Sequence, residues 1–385
     1  MREIYFDNAA TTRVRPEVAE LMMKVMTEDF GNPSARHVMG MKAENYIKTA
    51  REQIARTLRV DPGEIYFTSG GTESNNLALI GTALARSRRG KHIISTGIEH
   101  AAIYKPLDLL REQGFDITIL PVDGQGHIDL SELSAAIRPD TILVSLMYVN
   151  NEIGSIEPIA ETGRIIKERN PECYFHTDTI QAYGKLRIRP KTEHIDMLSV
   201  SAHKIHGPKG TGFIYIDKHV RLHPLILGGG QERDMRSGTE NVPGIAGMGL
   251  AAEMYYKEHE KIEAGMLSVR DRLIDRLSAM EGVKLNTEKG EGFAPHVVSA
   301  SFAGVRAEVL LHALEQKGIY VSSGSACSSN HPAISGTLRS IGVDQDLLDS
   351  TLRFSFGIYS TPEEADLCAD ALEELLPQLR RFVRR

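Results

Sequence analysis

Cysteine is scarce, with three in 385 residues. Cys173, Cys327 and Cys368 lie far apart and show no C-x-x-C spacing. That argues against a disulfide framework or a structural zinc site, and it fits a reducing, cytoplasmic setting. No apolar run approaches the ~18 residues that a membrane span needs. The start, Met1-Arg2-Glu3-Ile4-Tyr5-Phe6-Asp7, lacks the apolar core of a signal peptide. Basic charge is not in excess either: 45 Lys and Arg face 51 Asp and Glu, for a net charge of −6. A mildly acidic chain with no basic stripe is not expected to bind nucleic acid directly. The one dense basic run, Arg380-Arg381-Phe382-Val383-Arg384-Arg385, reads as the last turn of a helix, where cations suit the dipole. Low-complexity tracts and internal repeats are absent.

What is present is an ordinary globular balance, 41% hydrophobic and 25% charged, in a chain long enough for two domains. From about Glu64, short apolar runs alternate with longer amphipathic ones. The pattern predicts strands at Glu64–Thr68, His92–Ser95, Ile117–Pro121, Thr141–Leu146, Tyr174–Thr177, Met197–Ser201 and Gly212–Ile216. Helices are expected over Thr72–Ala85, Ala101–Gln113 and Ile159–Arg169. Such alternation implies a largely parallel sheet covered on both faces, with functional residues at the carboxyl ends of its strands. After Asn241 one long helical stretch is expected to run to about Met280. Beyond it come Val297–Phe302, a helix over Arg306–Gln316, short strands near Tyr320 and Leu352–Ser355, and a closing helix behind Thr361-Pro362-Glu363-Glu364. The expected division is a large domain over 16–257 and a smaller α+β domain made of 1–15 and 258–385.

Five features could carry chemistry. Thr68-Ser69-Gly70-Gly71-Thr72-Glu73-Ser74-Asn75-Asn76 runs from a strand through two glycines into a helix, an arrangement that lets backbone amides and a helix dipole meet a phosphate. Tyr174-Phe175-His176-Thr177-Asp178 delivers a carboxylate at a strand end, where it could cap a turn or keep a pyridine nitrogen protonated. In Ser201-Ala202-His203-Lys204-Ile205-His206-Gly207-Pro208-Lys209, a lysine just past a strand is well placed for a Schiff base. Spacing does not choose between Lys204 and Lys209. His203 and His206 lack a nearby acidic or cysteine partner, so no metal is expected. Cys327, in Ser323-Gly324-Ser325-Ala326-Cys327-Ser328-Ser329, is displayed among small polar residues as a reactive thiol would be, whereas Cys173 and Cys368 read as packing. Arg353, inside the apolar run Leu352-Arg353-Phe354-Ser355, needs a partner, which could be a substrate carboxylate or an internal Asp or Glu.

In their order and spacing these pieces resemble the NifS/IscS-type cysteine desulfurases, α/β enzymes of the aminotransferase-like pyridoxal 5'-phosphate (PLP) fold type I. The resemblance extends from Tyr5-Phe6-Asp7-Asn8-Ala9-Ala10-Thr11-Thr12 through Gly31-Asn32-Pro33-Ser34, Val149-Asn150-Asn151-Glu152-Ile153-Gly154 and Met235-Arg236-Ser237-Gly238-Thr239 to the last helix. It implies a large domain built on a mainly parallel seven-stranded sheet. It further implies that Lys204 holds PLP and later moves the α-proton, that Asp178 pairs with the pyridine nitrogen, and that Gln181 contacts the ring hydroxyl. His100 would stack on the ring and assist proton transfer. Gly71, Thr72, Ser201 and His203 would hold the phosphate, with Thr239 reaching it from a second copy in a homodimer. Asn151 and Arg353 would bind the carboxylate of L-cysteine. Cys327 would take the sulfur as a persulfide and pass it to an iron–sulfur scaffold or a sulfur-relay acceptor.

The chain departs from the commonest family forms at Thr179-Ile180 after Asp178, at Ala202 before the His-Lys pair, and at Asn330-His331-Pro332-Ala333-Ile334. The last difference leaves the identity of the acceptor open. Rival readings are an aminotransferase or selenocysteine lyase, which would tolerate loss of Cys327, and a non-catalytic binding module, which would have little reason to keep Lys204, Asp178, His100 and Cys327 together.

Overall fold

A computed structural model describes residues 3–323 and 335–381. Its strands are β1 (Ile4–Tyr5), β2 (Ile65–Thr68), β3 (His92–Thr96), β4 (Asp116–Leu120), β5 (Thr141–Met147), β6 (Tyr174–Asp178), β7 (Met197–Ser201), β8 (Gly212–Ile216), β9 (Val283–Leu285), β10 (Val297–Phe302), β11 (Ile319–Tyr320) and β12 (Thr351–Ser355). The helices are α1 (Pro16–Thr27), α2 (Val38–Leu58), α3 (Gly71–Arg86), α4 (Ala101–Glu112), α5 (Leu130–Ala136), α6 (Ile159–Arg169), α7 (Val242–Lys257), α8 (His259–Ser278), α9 (Ala307–Gln316), α10 (Gly336–Ser340) and α11 (Pro362–Arg380).

Seven strands form the main sheet in the order β2-β8-β7-β6-β5-β3-β4. All pairings are parallel except those of β8, which runs antiparallel to both neighbours. The central strands are apolar without a break because both of their faces are covered. Successive residues divide between the two sides: Ile93, Leu143, Tyr174 and Met197 belong to one core, and Ile94, Val144, Phe175 and Leu198 to the other. This is the two-residue period of a pleated strand, and each such side chain stabilises the fold by about 1.5–3 kcal/mol on burial. Helices α3 and α4 supply Leu77, Ala78, Ile103 and Leu107 to the first core. Helices α1, α2, α6 and α7 face the second.

A smaller layer holds the antiparallel sheet β12-β10-β9 and the parallel pair β1-β11. Helices α8 and α9 pack against it, and α11 packs on those two helices.

Two differences from the sequence reading have clear causes. The long helical stretch after Asn241 is two helices, broken at Glu258, whose backbone (φ −106°, ψ 13°) leaves the helical region. Helix α7 is buried on nearly all sides against α1 and α2, while α8 turns an amphipathic face to α11 and β10. One straight helix could not satisfy both layers. Glu64 does not open β2; it closes a short 3₁₀ turn, Pro62–Glu64, in a capping box with Asp61. The helices before residue 64 and the short α5 and β9 were not singled out from the pattern.

The carboxyl ends of β2, β3, β5, β6 and β7 open on one edge of the sheet. That edge carries the site.

Candidate active site

Asp178 is the last residue of β6 and is almost fully buried. Its Oδ2 accepts from Asn75 Nδ2 at 2.7 Å and its Oδ1 from the Ile180 N–H at 3.0 Å. Burial raises the pKa of the carboxyl. The Ile180 N–H, the Asn75 amide and positive charge at His100 and Lys204 pull the other way. The group is thus poised to gain from a cation placed against it.

Lys204 ends a 3₁₀ turn, Ala202–Lys204, directly after β7. Its Nζ donates to the carbonyls of Ala9 at 2.5 Å and Ala10 at 2.7 Å. Those acceptors belong to the N-terminal segment, which is laid across the site by Asn8 and Ala9 N–H bonds to Ser355 and by Thr12, whose N–H and hydroxyl both donate to the His203 carbonyl. Lys209, by contrast, is exposed on the following turn. Gln181 Nε2 also donates to Ala9 O, at 2.9 Å, and its Oε1 lies 3.1 Å from His296 Nε2.

The start of α3 and the end of β7 meet. A Cβ on Gly70, at φ 150°, would lie 3.6 Å from Ser201 Oγ, and one on Gly71 would lie 2.0 Å from Ile180 Cδ1. Glycine at 71 therefore lets the turn close over the Asp178–Ile180 segment. Thr72 is exposed beside it. His203 Nδ1 lies 3.3 Å from Thr11 Oγ1. Its pKa falls to about 4, through burial first and then the positive charges of Lys204, Lys209 and Lys185. His203 is therefore a neutral hydrogen-bonding group near neutral pH.

His100 caps α4, its Nδ1 accepting from Ala102 N–H at 3.1 Å, and its charge is felt by Asp178 and by Glu152. Arg353 is 5% exposed. One Nη donates to Asp7 Oδ1 and the other to the Asn151 carbonyl, each at 2.9 Å, while Nε has no hydrogen-bond partner among the described residues. Of the two partners open from sequence, the internal carboxylate is therefore present. Thr239 is exposed on the connection between β8 and α7, next to Arg236, which is ion-paired to Glu73 at the start of α3.

Cys327 lies outside the described residues. The residues on either side of that segment sit at the site. Ser322 exchanges backbone hydrogen bonds with Arg353, and Ser335 Oγ donates to the half-buried Glu152 Oε2 at 2.5 Å. Cys173 and Cys368 are buried, and desolvation pushes each thiol up to about 12, so neither is a thiolate near neutral pH.

Several contributors were missed from sequence. Asn75 lay inside a quoted motif, but its bond to Asp178 spans 103 positions. Ala9 and Ala10 act through backbone carbonyls, which leave no mark on residue type. His296 and Lys185 fall in segments with no local signature.

The residues fit PLP. Asp178 offers a buried carboxylate to a protonated ring nitrogen, the Gly70-Gly71 turn and Ser201 form a cradle for an anion at a helix start, and Lys204 supplies a primary amine on the same edge.

The model of the class-V aminotransferases matches residues 4–368. Cysteine desulfurase IscS of Methanosarcina thermophila is 45% identical over 381 residues, covering 99% of this chain and 94% of the relative. The Dictyoglomus turgidum protein of the same name is 45% identical over 380 residues, 98% of this chain and 96% of the relative. Among solved structures, a NifS-like protein superposes with a TM-score of 0.93 at 40% identity, covering 98% of this chain and 100% of that one. A structure described as SspA in complex with cysteine gives 0.82 at 35% identity, covering 93% and 100%.

Proposed function

Since the chain belongs to the class-V aminotransferase family, we propose that it is a PLP-dependent cysteine desulfurase that converts L-cysteine to L-alanine and stores the sulfur on Cys327. The observation that carries the reading is the convergence of Lys204, Asp178 and Gln181 on one sheet edge, in a chain similar over its full length to proteins named for this activity.

When bound, PLP supplies an electron sink that makes the bonds around the substrate's α-carbon labile. The protein does the rest. Asp178 keeps a proton on the ring nitrogen, and Gln181 fixes the ring hydroxyl. Gly71, Thr72, Ser201 and neutral His203 bind the phosphate, joined by Thr239 of a second copy. Arg353 and Asn151 orient the substrate carboxylate. Lys204 Nζ takes the proton from the α-carbon, and His100 Nε2 handles the proton of the sulfur. The Cys327 thiolate attacks that sulfur, so the carbon–sulfur bond breaks as a sulfur–sulfur bond forms. The carbon keeps the electron pair and a proton, giving alanine and a persulfide, and the two thiols together balance the products. The anchoring of Ser322 on Arg353 and Ser335 on Glu152 supports Cys327 as the acceptor.

The persulfide sulfur then passes to a scaffold for iron–sulfur clusters or to a sulfur-relay acceptor. A homodimer is supported by exposed apolar side chains concentrated within residues 23–41: Met23, Met26, Phe30, Val38 and Met41 are each at least half exposed. The division at 257/258 is supported by α7 and α8 packing on different layers. No helix among the described residues is long and apolar enough to cross a membrane, in keeping with a cytoplasmic enzyme.

The test is alanine release from L-cysteine by the PLP-loaded protein with a reductant, beside Cys327→Ala. Alanine from the parent alone supports both claims. Equal release from the variant refutes Cys327 as acceptor, and none from a loaded parent refutes desulfuration.

A further inference from the structure

Behind the turn that carries Lys204 lies a second lysine. Lys185 is 4% exposed, and its Nζ donates to the backbone carbonyl of Lys204 at 2.7 Å. It reaches that position from a tight turn: Gly184 has φ 87°, and a Cβ there would lie 2.9 Å from Ile205 Cγ2 and 3.2 Å from Tyr255. The segment after β6 is therefore pressed onto the Lys204 turn. Among the described residues no carboxylate forms an ion pair with Lys185. The titratable groups that feel its charge are themselves basic, namely Lys204, His203, His206 and His296.

A buried ammonium with one carbonyl acceptor and no counter-ion is costly. A glutamine could tie down the same carbonyl without that cost, and a methionine could fill much of the same space. What only a lysine adds is positive potential behind the amine of Lys204. A cation near a reactive amine disfavours its protonated form and keeps it nucleophilic.

We propose that Lys185 is a positioning residue for the reaction: it fixes the backbone of the turn that presents Lys204, and its charge lowers the affinity of the Lys204 nitrogen for a proton. The proposal rests on Lys204 as the lysine that carries PLP. The pKa of Lys185 itself is held down to about 7, by burial first and then by the charge of Lys204. Its influence is therefore strongest on the acid side of neutrality and fades above it.

The test uses the PLP-loaded protein and three variants, K185M, K185Q and K185R. The readouts are the pH midpoint of the absorption change of the lysine-bound pyridoxal and the rate at which that absorption returns when PLP is added to stripped protein. Thermal melting reports folding. K185M and K185Q are expected to raise the midpoint by about one pH unit, a tenfold change in proton affinity. Both should also slow the return of absorption several-fold. K185R keeps the charge and is expected to hold the parent's midpoint. K185Q keeps a donor to the Lys204 carbonyl, so it decides the question if K185M fails to fold. An unmoved midpoint in folded K185Q overturns the proposal and leaves Lys185 a packing residue. A parent that shows no lysine-bound absorption, or one trapped by borohydride on another lysine, refutes the Lys204 assignment instead.

Discussion

Lys204 and Gln181 donate to one and the same atom, the carbonyl oxygen of Ala9, at 2.5 Å and 2.9 Å. Two strand ends and the N-terminal segment are tied together at that point. The amine expected to hold PLP and the amide expected to face its ring hydroxyl therefore have a fixed separation before any ligand arrives. Such preorganisation is how a site avoids ordering its groups during the reaction.

Lys204→Ala should fold, yet form no covalent link to PLP. Borohydride reduction followed by peptide mass analysis checks this: the parent should carry the reduced adduct on Lys204 and the variant none. A full adduct on Lys209 in the variant would reverse the assignment.

Asp178→Asn replaces the carboxylate proposed to pair with the ring nitrogen by a neutral amide of the same shape. Alanine release should fall by about 10²–10³-fold while PLP still binds. Asn75→Ala removes one of the two donors to Asp178 and leaves that carboxylate less satisfied, at a cost of about 1–3 kcal/mol in stability. Thermal melting of the two variants separates the effects: Asp178→Asn acts mainly on turnover, Asn75→Ala on both.

Gly71→Ala should destabilise the protein by about 1 kcal/mol and weaken PLP binding, because the new methyl would sit 2.0 Å from Ile180 Cδ1, the end of a side chain that must give way. The clash names its own remedy. Adding Ile180→Ala should restore most of the lost PLP affinity, and a double variant no better than the single one contradicts this account.

Arg353→Lys keeps the charge but loses the planar fork that spans Asp7 and Asn151. KM for L-cysteine should rise about tenfold or more, with kcat less affected. Steady-state kinetics decide it; a changed kcat at constant KM would remove Arg353 from substrate binding.

His219 lies between two acids, with Nδ1 2.6 Å from Asp217 Oδ1 and Nε2 2.9 Å from Asp196 Oδ1. Its pKa is raised, first by the hydrogen bond to Asp196. Protonation is thus favoured by folding. The stabilisation is fully present below the ordinary histidine pKa and disappears as pH rises through the higher folded value. The ring is half-exposed, so the amount is about 1 kcal/mol or less. Melting temperatures followed from about pH 6 to about pH 9 should decline less steeply in His219→Gln than in the parent.

Much of both sheets was legible from local pattern. Met197–Ser201 and Gly212–Ile216 in the large sheet, and Val297–Phe302 in the small one, have the bounds expected from sequence because buried strands appear as short unbroken apolar runs between turn residues. Helix α6 was equally clear. The break at Glu258 was not, since both flanking segments favour helix and only their packing on separate layers forces a bend. The motifs around Lys204, Asp178 and Gly71 could be named, but their mutual geometry could not.

The sequence by itself determined the strands of the large sheet, the helices between them such as α6, and which residue types stand at the strand ends. Those are properties of near neighbours, set by pleat, helical period and turn chemistry. Tertiary structure decided the choices that neighbours cannot make. It left Lys209 in solvent and set Lys204 against the Ala9 and Ala10 carbonyls. It paired Arg353 with Asp7 across 346 positions of chain and placed Lys185 behind the turn of Lys204. Such contacts form only when the second layer and the N-terminal segment close over the sheet edge, because burial without partners would cost too much for any of these groups alone.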